Sequence, residues 1–309
     1  MNTQDLKGGT SYSLSSLYLE DVAEIRLSEA RYTELLRARQ ALVDAGFYEE
    51  SFEQLVENYK AFEMFCVARS LDSRLGGDYR IEPASITISE ANRLLMNFLT
   101  SVRSYTEQSR SAFKTTASGN EFRAQVKSSL EALRTSSQSF ALLEVVRNYA
   151  QHVGMPVNGI QSNWSHNTHW SEGATPYLEG GKIASYASSN RKRPIDLKSS
   201  MPDKVKIRAL CYSVLRELSA LHCAARRVVE GDCTLARKLL ESAIHEINAR
   251  LDEGSEAEEK MRPARLRKTE THLDQVVVLD HTLMLDWDDI RQARAAKHPR
   301  AVSDFKNGT

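Results

Sequence analysis

FALLEVVRNYAQHVGMP, residues 140–156, is the stretch from which the rest of the chain is read. Phe140, Leu143, Val146 and Ala150 recur at three- and four-residue steps, which lays an apolar stripe along one side of a helix. Arg147 and Asn148 fall off that stripe. Gly154 and Pro156 stop the helix. His152 therefore belongs to its last turn, where carbonyls lack intrahelical partners and the helix dipole favours a protonated imidazole. Such a position suits an acid or a base.

Upstream, the spacing predicts a helix from Leu19 to Ala45 closed by Gly46, behind a polar leader. A second helix is expected from Glu50 or Ser51 to Leu71, with Phe52, Leu55, Tyr59, Phe62 and Cys66 on one face. Ile81–Ile88 reads as a short strand or extended linker, because Pro83 opposes a helix and Ile86, Thr87 and Ile88 are β-branched. Thr87 and Glu90 have capping-box spacing, so the next helix should start there and carry Ala91, Leu94, Leu95, Phe98, Val102 and Tyr105 inward. A break at 115–120 and a helix from Phe122 to Leu133 precede the Arg147 helix. Short connections between four such helices favour an up-and-down antiparallel bundle.

Downstream, residues 157–200 are rich in Ser, Asn, Gly and Thr and too long for a bundle loop, so they read as a small β-rich or irregular insertion. Alternation in 157–170 and 182–188 predicts a hairpin or two strands around Gly180 and Gly181. Two further helices, from Pro202 to Gly231 and from Asp232 or Thr234 to Leu251, are expected as an antiparallel hairpin. Residues 255–270 are charge-dense and read as a solvated linker. Residues 273–285 fit either a strand pair or a docked helix, and 287–296 fit a helix. The domain expectation is a leader and helix at 1–49, a helical domain at 50–254 and a linker with a packing arm at 255–309.

The 309 residues are 41% hydrophobic and 27% charged with zero net formal charge, so no global basic field draws nucleic acid and any such contact must be local. No run of some eighteen apolar residues and no signal-peptide pattern occurs, so a cytoplasmic chain without a membrane association is expected. Cys66, Cys211, Cys223 and Cys233 form no CxxC pair and suit buried thiols in a reducing compartment. His166 and His169, with His152, offer three nitrogens to a zinc ion; nearby carboxylates are few, and the bland reading is loop residues. We expect no metal and no cofactor. The triplet Arg191-Lys192-Arg193 is a candidate for phosphate contact, although exposed basic triplets are commonly just solvated.

Arg147-Asn148-Tyr149-Ala150-Gln151-His152 resembles the signature of the HEPN superfamily, in which an Arg, usually followed by a polar residue, precedes a His by four to six positions. The likeness spans residues 50–251, because NRLLMNFLTSVRSY at 92–105 also looks like the core helix such domains place beside the motif helix. Looser versions of the spacing occur at Arg216–His222 and Arg291–His298, but only Arg147 has an Asn beside it, an apolar run before it and a Gly-x-Pro stop after it. The resemblance implies an all-helical domain, a metal-independent endoribonuclease, a homodimer that pairs motif helices, and a role as a toxin or antiviral effector. An antitoxin or other restraining partner would go with such a role.

The residues themselves fit that chemistry. RNA is cleaved when its 2′-hydroxyl attacks the adjacent phosphate, which needs a base, an acid and a cation for the phosphorane charge. Imidazole serves as either of the first two and guanidinium as the third; Asn148 would orient one of them or bind a phosphate oxygen. Each chain offers one His, so two copies about a twofold axis would supply both hands. On an ideal helix, five residues turn about 140°, so Arg147 and His152 share a face only if the helix end unwinds. Two other readings stand beside this one. The fold is a binding module for nucleotide or protein, or a scaffold or adaptor built on the Leu-rich 202–251 hairpin with the motif match accidental; the bland role for the motif has Arg147 pair with a neighbouring helix, His152 meet the dipole and Asn148 stay solvated.

Overall fold

Two helices of 46 residues each, α1 (Glu29–Arg74) and α6 (Ile207–Asp252), dominate the chain. They come from a computed structural model that describes residues 10–16, 24–74, 84–162, 174–189, 201–252, 264–270, 273–279 and 288–294. The protein is mostly helical, with small antiparallel sheets. Among the described residues no helix is long and apolar enough to cross a membrane.

Both long helices correct the expectation of a glycine break. Gly46 and Gly231 lie inside α1 and α6, so neither the separate helices at 19–45 and 50–71 nor the hairpin at 202–251 exists. A helical glycine costs about 1 kcal/mol against alanine. Burying one large aliphatic or aromatic side chain returns about 1.5–3 kcal/mol, and Leu42, Ala45, Tyr48 and Phe52 are buried around the first glycine, Val229, Cys233 and Ala236 around the second. Ser28 starts α1 by accepting the Arg31 N–H on its Oγ at 3.2 Å.

By Cα proximity the chain divides into two compact units. The first comprises Met1–Glu49, Ala112–Phe122 and Arg226–His298. Its sheet has the order β2-β1-β6-β7, built from β1 (Ser11–Ser16), β2 (Glu24–Leu27), β6 (Ala264–Glu270) and β7 (Leu273–Leu279). All its pairs are antiparallel, with Leu14 opposite both Ile25 and Leu266. The polar leader thus supplies a central strand, and part of the charged linker supplies its neighbour. In β6 Ala264, Arg265 and Leu266 are all buried, and Arg265 donates from Nε to Ser15 Oγ at 2.9 Å. β7 is a strand over the first part of the stretch expected as a strand pair or a docked helix, it pairs with β6, and 280–285 lies outside the described residues; a short helix, α7, covers 288–294. Tyr48, Phe113 and Phe122 form an aromatic cluster in the core of this unit, with edge contacts of Tyr48 to both phenylalanines.

The second unit comprises Glu50–Ser111, Arg123–Ala225 and Pro299–Thr309. Within it, α2 (Ala84–Ser109) starts before the expected Thr87, so 84–88 is helical and not extended. β-Branched side chains lose rotamer freedom against the preceding helical turn, and in the first turn of α2 there is no preceding turn to crowd Ile86 and Thr87. α3 (Gly119–Ser136) begins in the first unit and continues here, α4 is Gln138–His152, and a sheet of order β3-β4-β5 joins β3 (Gly159–Ser162), β4 (Ala174–Glu179) and β5 (Lys204–Lys206). The expected strand at 182–188 is instead helix α5 (Gly180–Ser189). Gly180 opens that helix because a Cβ there would lie 1.8 Å from the Pro202 carbonyl oxygen, and its N–H donates to Asp203 O at 2.8 Å.

Candidate functional site

Helix α4 begins at Ser137, whose Oγ accepts the Phe140 N–H at 3.0 Å and donates to the Glu217 carboxylate at 2.8 Å. Phe140, Ala141, Leu142, Leu143, Val145 and Val146 are buried, so the helix is fixed over its first two turns. It ends where its glycine and proline require. The N–H groups of Val153 and Gly154 both reach Tyr149 O, at 2.8 and 3.2 Å. Just beyond, the side-chain amide of buried Asn92 grips Val157 on both sides, accepting its N–H at 2.9 Å and donating to its carbonyl at 3.2 Å. Tyr149 meets Tyr186 of α5 edge to face, with centroids 5.6 Å apart. The end of α4 is thereby held from α2 and from α5.

Arg147 is half-buried and donates from Nη2 to Gln151 Oε1 at 3.0 Å. It lines a groove of α2, α3 and α4 whose apolar floor includes Leu99, Phe140 and Leu143. Arg103, Arg110 and Arg134 line the same groove, with Glu107 and Glu144 between them. Arg103 pairs with Glu107, and Arg134 Nε donates to Glu144 at 3.2 Å. Partial burial pushes the Arg147 guanidinium below its ordinary value, and the positive charge of Arg103 pushes the same way, against Glu107 and Glu144. Like charges share this groove.

Asn148 is half-buried beside Arg147, and His152 is exposed as the last residue of α4. The helix stays regular through His152, so within one chain it stands about 140° around the axis from Arg147. The unwinding that would join them does not occur. Next to His152, Val153 and Met155 are 57% and 63% exposed, an apolar pair at the helix end.

The looser matches have other uses. His222 is fully buried, stacked on Phe52 at 4.1 Å, with Nδ1 3.1 Å from Tyr105 Oη. Arg291 is buried and donates from Nε to Asp288 Oδ1 at 2.6 Å; His298 lies outside the described residues, as do Arg191, Lys192, Arg193, His166 and His169. Among the described residues no three His, Cys, Asp or Glu side chains gather as a metal site.

The Arg-x4-His pattern does not point to Arg103, Arg110 or Arg134. A signal for two of them is there: Leu99, Arg103, Thr106 and Arg110 follow four-, three- and four-residue steps, which puts Arg103 on one stripe of α2 and Arg110 in line with it, one residue past the helix end. Arg134 joins them only through tertiary packing. Comparison of the chain with protein-family models, with curated proteins and with solved structures found no match.

Proposed function

We propose that the chain is a metal-independent endoribonuclease of HEPN type that works as a homodimer. The observation that carries the reading is the placement of Arg147 in an arginine-lined groove while His152 stands free at the end of the same helix. Because Arg147 and His152 point apart on α4, the reaction takes Arg147 from one copy and His152 from the other, with the exposed Val153 and Met155 beside the joint. His152 removes the 2′ proton or protonates the 5′-oxygen, Arg147 stabilises the phosphorane charge, and Asn148 binds a phosphate oxygen. Cutting cellular RNA in this way is the business of a toxin or antiviral effector, held in check by a partner.

The test is cleavage of a mixed RNA pool by purified protein in excess EDTA, beside His152→Ala and Arg147→Ala. The expected result is cleavage by the unmutated chain alone, leaving 2′,3′-cyclic phosphate ends. Loss of His152 should cost about 10²–10⁴ in rate and loss of Arg147 about 10²–10³. Equal cleavage by all three proteins would assign the activity to another site or to a contaminant. A folded dimer that cuts nothing would favour a second reading, a binding module for nucleotide or protein, which the angular separation of Arg147 and His152 also suits.

A further inference from the structure

Four guanidiniums and two carboxylates line the groove of α2, α3 and α4, which leaves a surplus of two positive charges in a chain whose net formal charge is zero. Arg103 and Arg134 have carboxylate partners. Arg110 is exposed with no ion pair among the described residues, and Arg147 has a neutral amide as its hydrogen-bond acceptor. The space between them is about 80 Å³, room for a few waters or one phosphate group rather than a base. Its floor presents aliphatic side chains and the buried Phe140, with no exposed ring on which a base could stack. Thr106, the hydroxyl in the wall, already donates to Arg103 O at 3.0 Å.

We infer that Arg103, Arg110 and Arg134 form, with Arg147, a seat for the phosphodiester backbone of single-stranded nucleic acid, which registers the strand without reading base or sugar. This inference rests on the ribonuclease reading above and adds how the strand is held. Guanidinium forks match phosphate oxygens, and a strand phosphate would relieve the crowding of Arg147 by Arg103. With neither stacking ring nor free hydroxyl, the groove holds RNA and DNA alike. Discrimination then falls to the reaction, which needs the 2′-hydroxyl.

The test measures binding of labelled oligouridine to the full chain in EDTA by fluorescence anisotropy across a salt series, with oligodeoxythymidine of equal length as competitor. His152→Ala serves as the parent so that binding is read without cutting. Arg103→Gln with Arg110→Gln should weaken binding about tenfold and lower the salt slope by about 1.4, two contacts at about 0.7 each. Both side chains are exposed, Arg103 on α2 and Arg110 just past its end, so melting should be unchanged. A control of equal charge loss, Arg93→Gln with Lys127→Gln, should bind as the parent does. Oligodeoxythymidine should compete as well as oligouridine. Equal weakening by groove variant and control, an unchanged groove variant, or no binding at all would each overturn the seat. Binding through the groove without cleavage in the His152-containing chain would leave the seat standing and remove the nuclease. Cleavage that needs His152 but ignores Arg103 and Arg110 would do the reverse.

Discussion

Arg226 holds Glu49 by two hydrogen bonds, from Nε to Oε1 and from Nη2 to Oε2, both 2.6 Å, inside the first unit. Glu49 is only 2% exposed, so this ion pair differs in kind from the many surface pairs of the long helices. Replacing Arg226 by methionine keeps most of the apolar stem and removes the guanidinium from a buried carboxylate. Breaking such a pair costs about 3–5 kcal/mol. There is a ceiling, because the carboxyl group can instead take up a proton on folding. An ordinary glutamate ionises near 4.3, and each pH unit above that adds about 1.36 kcal/mol to keeping it protonated, which comes to about 3.7 kcal/mol at pH 7. At pH 5 the same route costs about 1 kcal/mol, so the penalty of Arg226→Met should shrink as pH falls. Urea titration of the full chain by circular dichroism at pH 5 and pH 7 reads both numbers. Glu49→Leu combined with Arg226→Met should recover to within about 1 kcal/mol of the unmutated chain, as apolar replacements of both partners commonly do. A loss under about 1 kcal/mol at pH 7 would show a solvated pair and refute the reasoning.

Gly231→Ala should stabilise the protein by about 0.5–1 kcal/mol in the same titration, because the position is helical and a Cβ there meets nothing within 4 Å; destabilisation would mean that α6 breaks at the glycine after all. His222→Ala should cost about 3–5 kcal/mol through the cavity left beside Phe52 and Tyr105, whereas His222→Phe should cost about 1–3 kcal/mol for the Tyr105 hydroxyl left without its imidazole. Neither should alter RNA cleavage beyond the loss of folded protein. Burial pushes the Cys66 and Cys233 thiols up to about 12, with Glu63 acting the same way on Cys66, and pushes Cys211 up as well. At pH 8 the thiolate fraction of Cys66 and Cys233 is therefore about one in ten thousand, Cys211 is buried besides, and a disulfide reagent should titrate one thiol, the half-buried Cys223, in the native protein and four in urea. The same thiols ionise near their ordinary value of 9 when unfolded, so the stability they contribute is complete below pH 9 and is lost as pH rises towards 12.

What could be read from the sequence was whatever depends on one helix and its end. The stripe of Phe140 to Val146, the stop after His152 and the inward face of α2 from Ala91 to Tyr105 appear in the structure because period and cap chemistry are local. The glycines misled for the opposite reason. Gly46 and Gly231 are helix breakers by propensity, and what outweighs them is the burial of the residues flanking them on the same helices, which tertiary packing decides. Gly180 and Gly181 suggested a turn, yet the first is a glycine because the Pro202 backbone lies against it, a contact 22 residues away in sequence. β6 was hidden by its charge. ARLRKTE reads as a solvated run until Ser11–Ser16 pairs with it and buries Arg265 against Ser15. Of the site, Arg147, Asn148 and His152 were legible as a pattern, but the groove was not, since Arg134 reaches it from another helix.

The pairing of β1 with β6 also sets a timetable for synthesis. Ser11 lies opposite Thr269, so β1 waits for about 258 further residues to be made before its partner exists. At translation rates of about 5–20 residues per second the delay is about 13–50 seconds. When β6 does arrive, closing a loop of about 260 residues costs on the order of 5 kcal/mol in chain entropy. During the wait β1 has one side available to any stranger's strand. Its sequence, SYSLSS, answers that hazard, with Leu14 the one large aliphatic among four serines and a tyrosine. A strand so poor in apolar surface is a weak seed for wrong partners on the ribosome, and gains its place only once the late strand brings Leu266 to cover it.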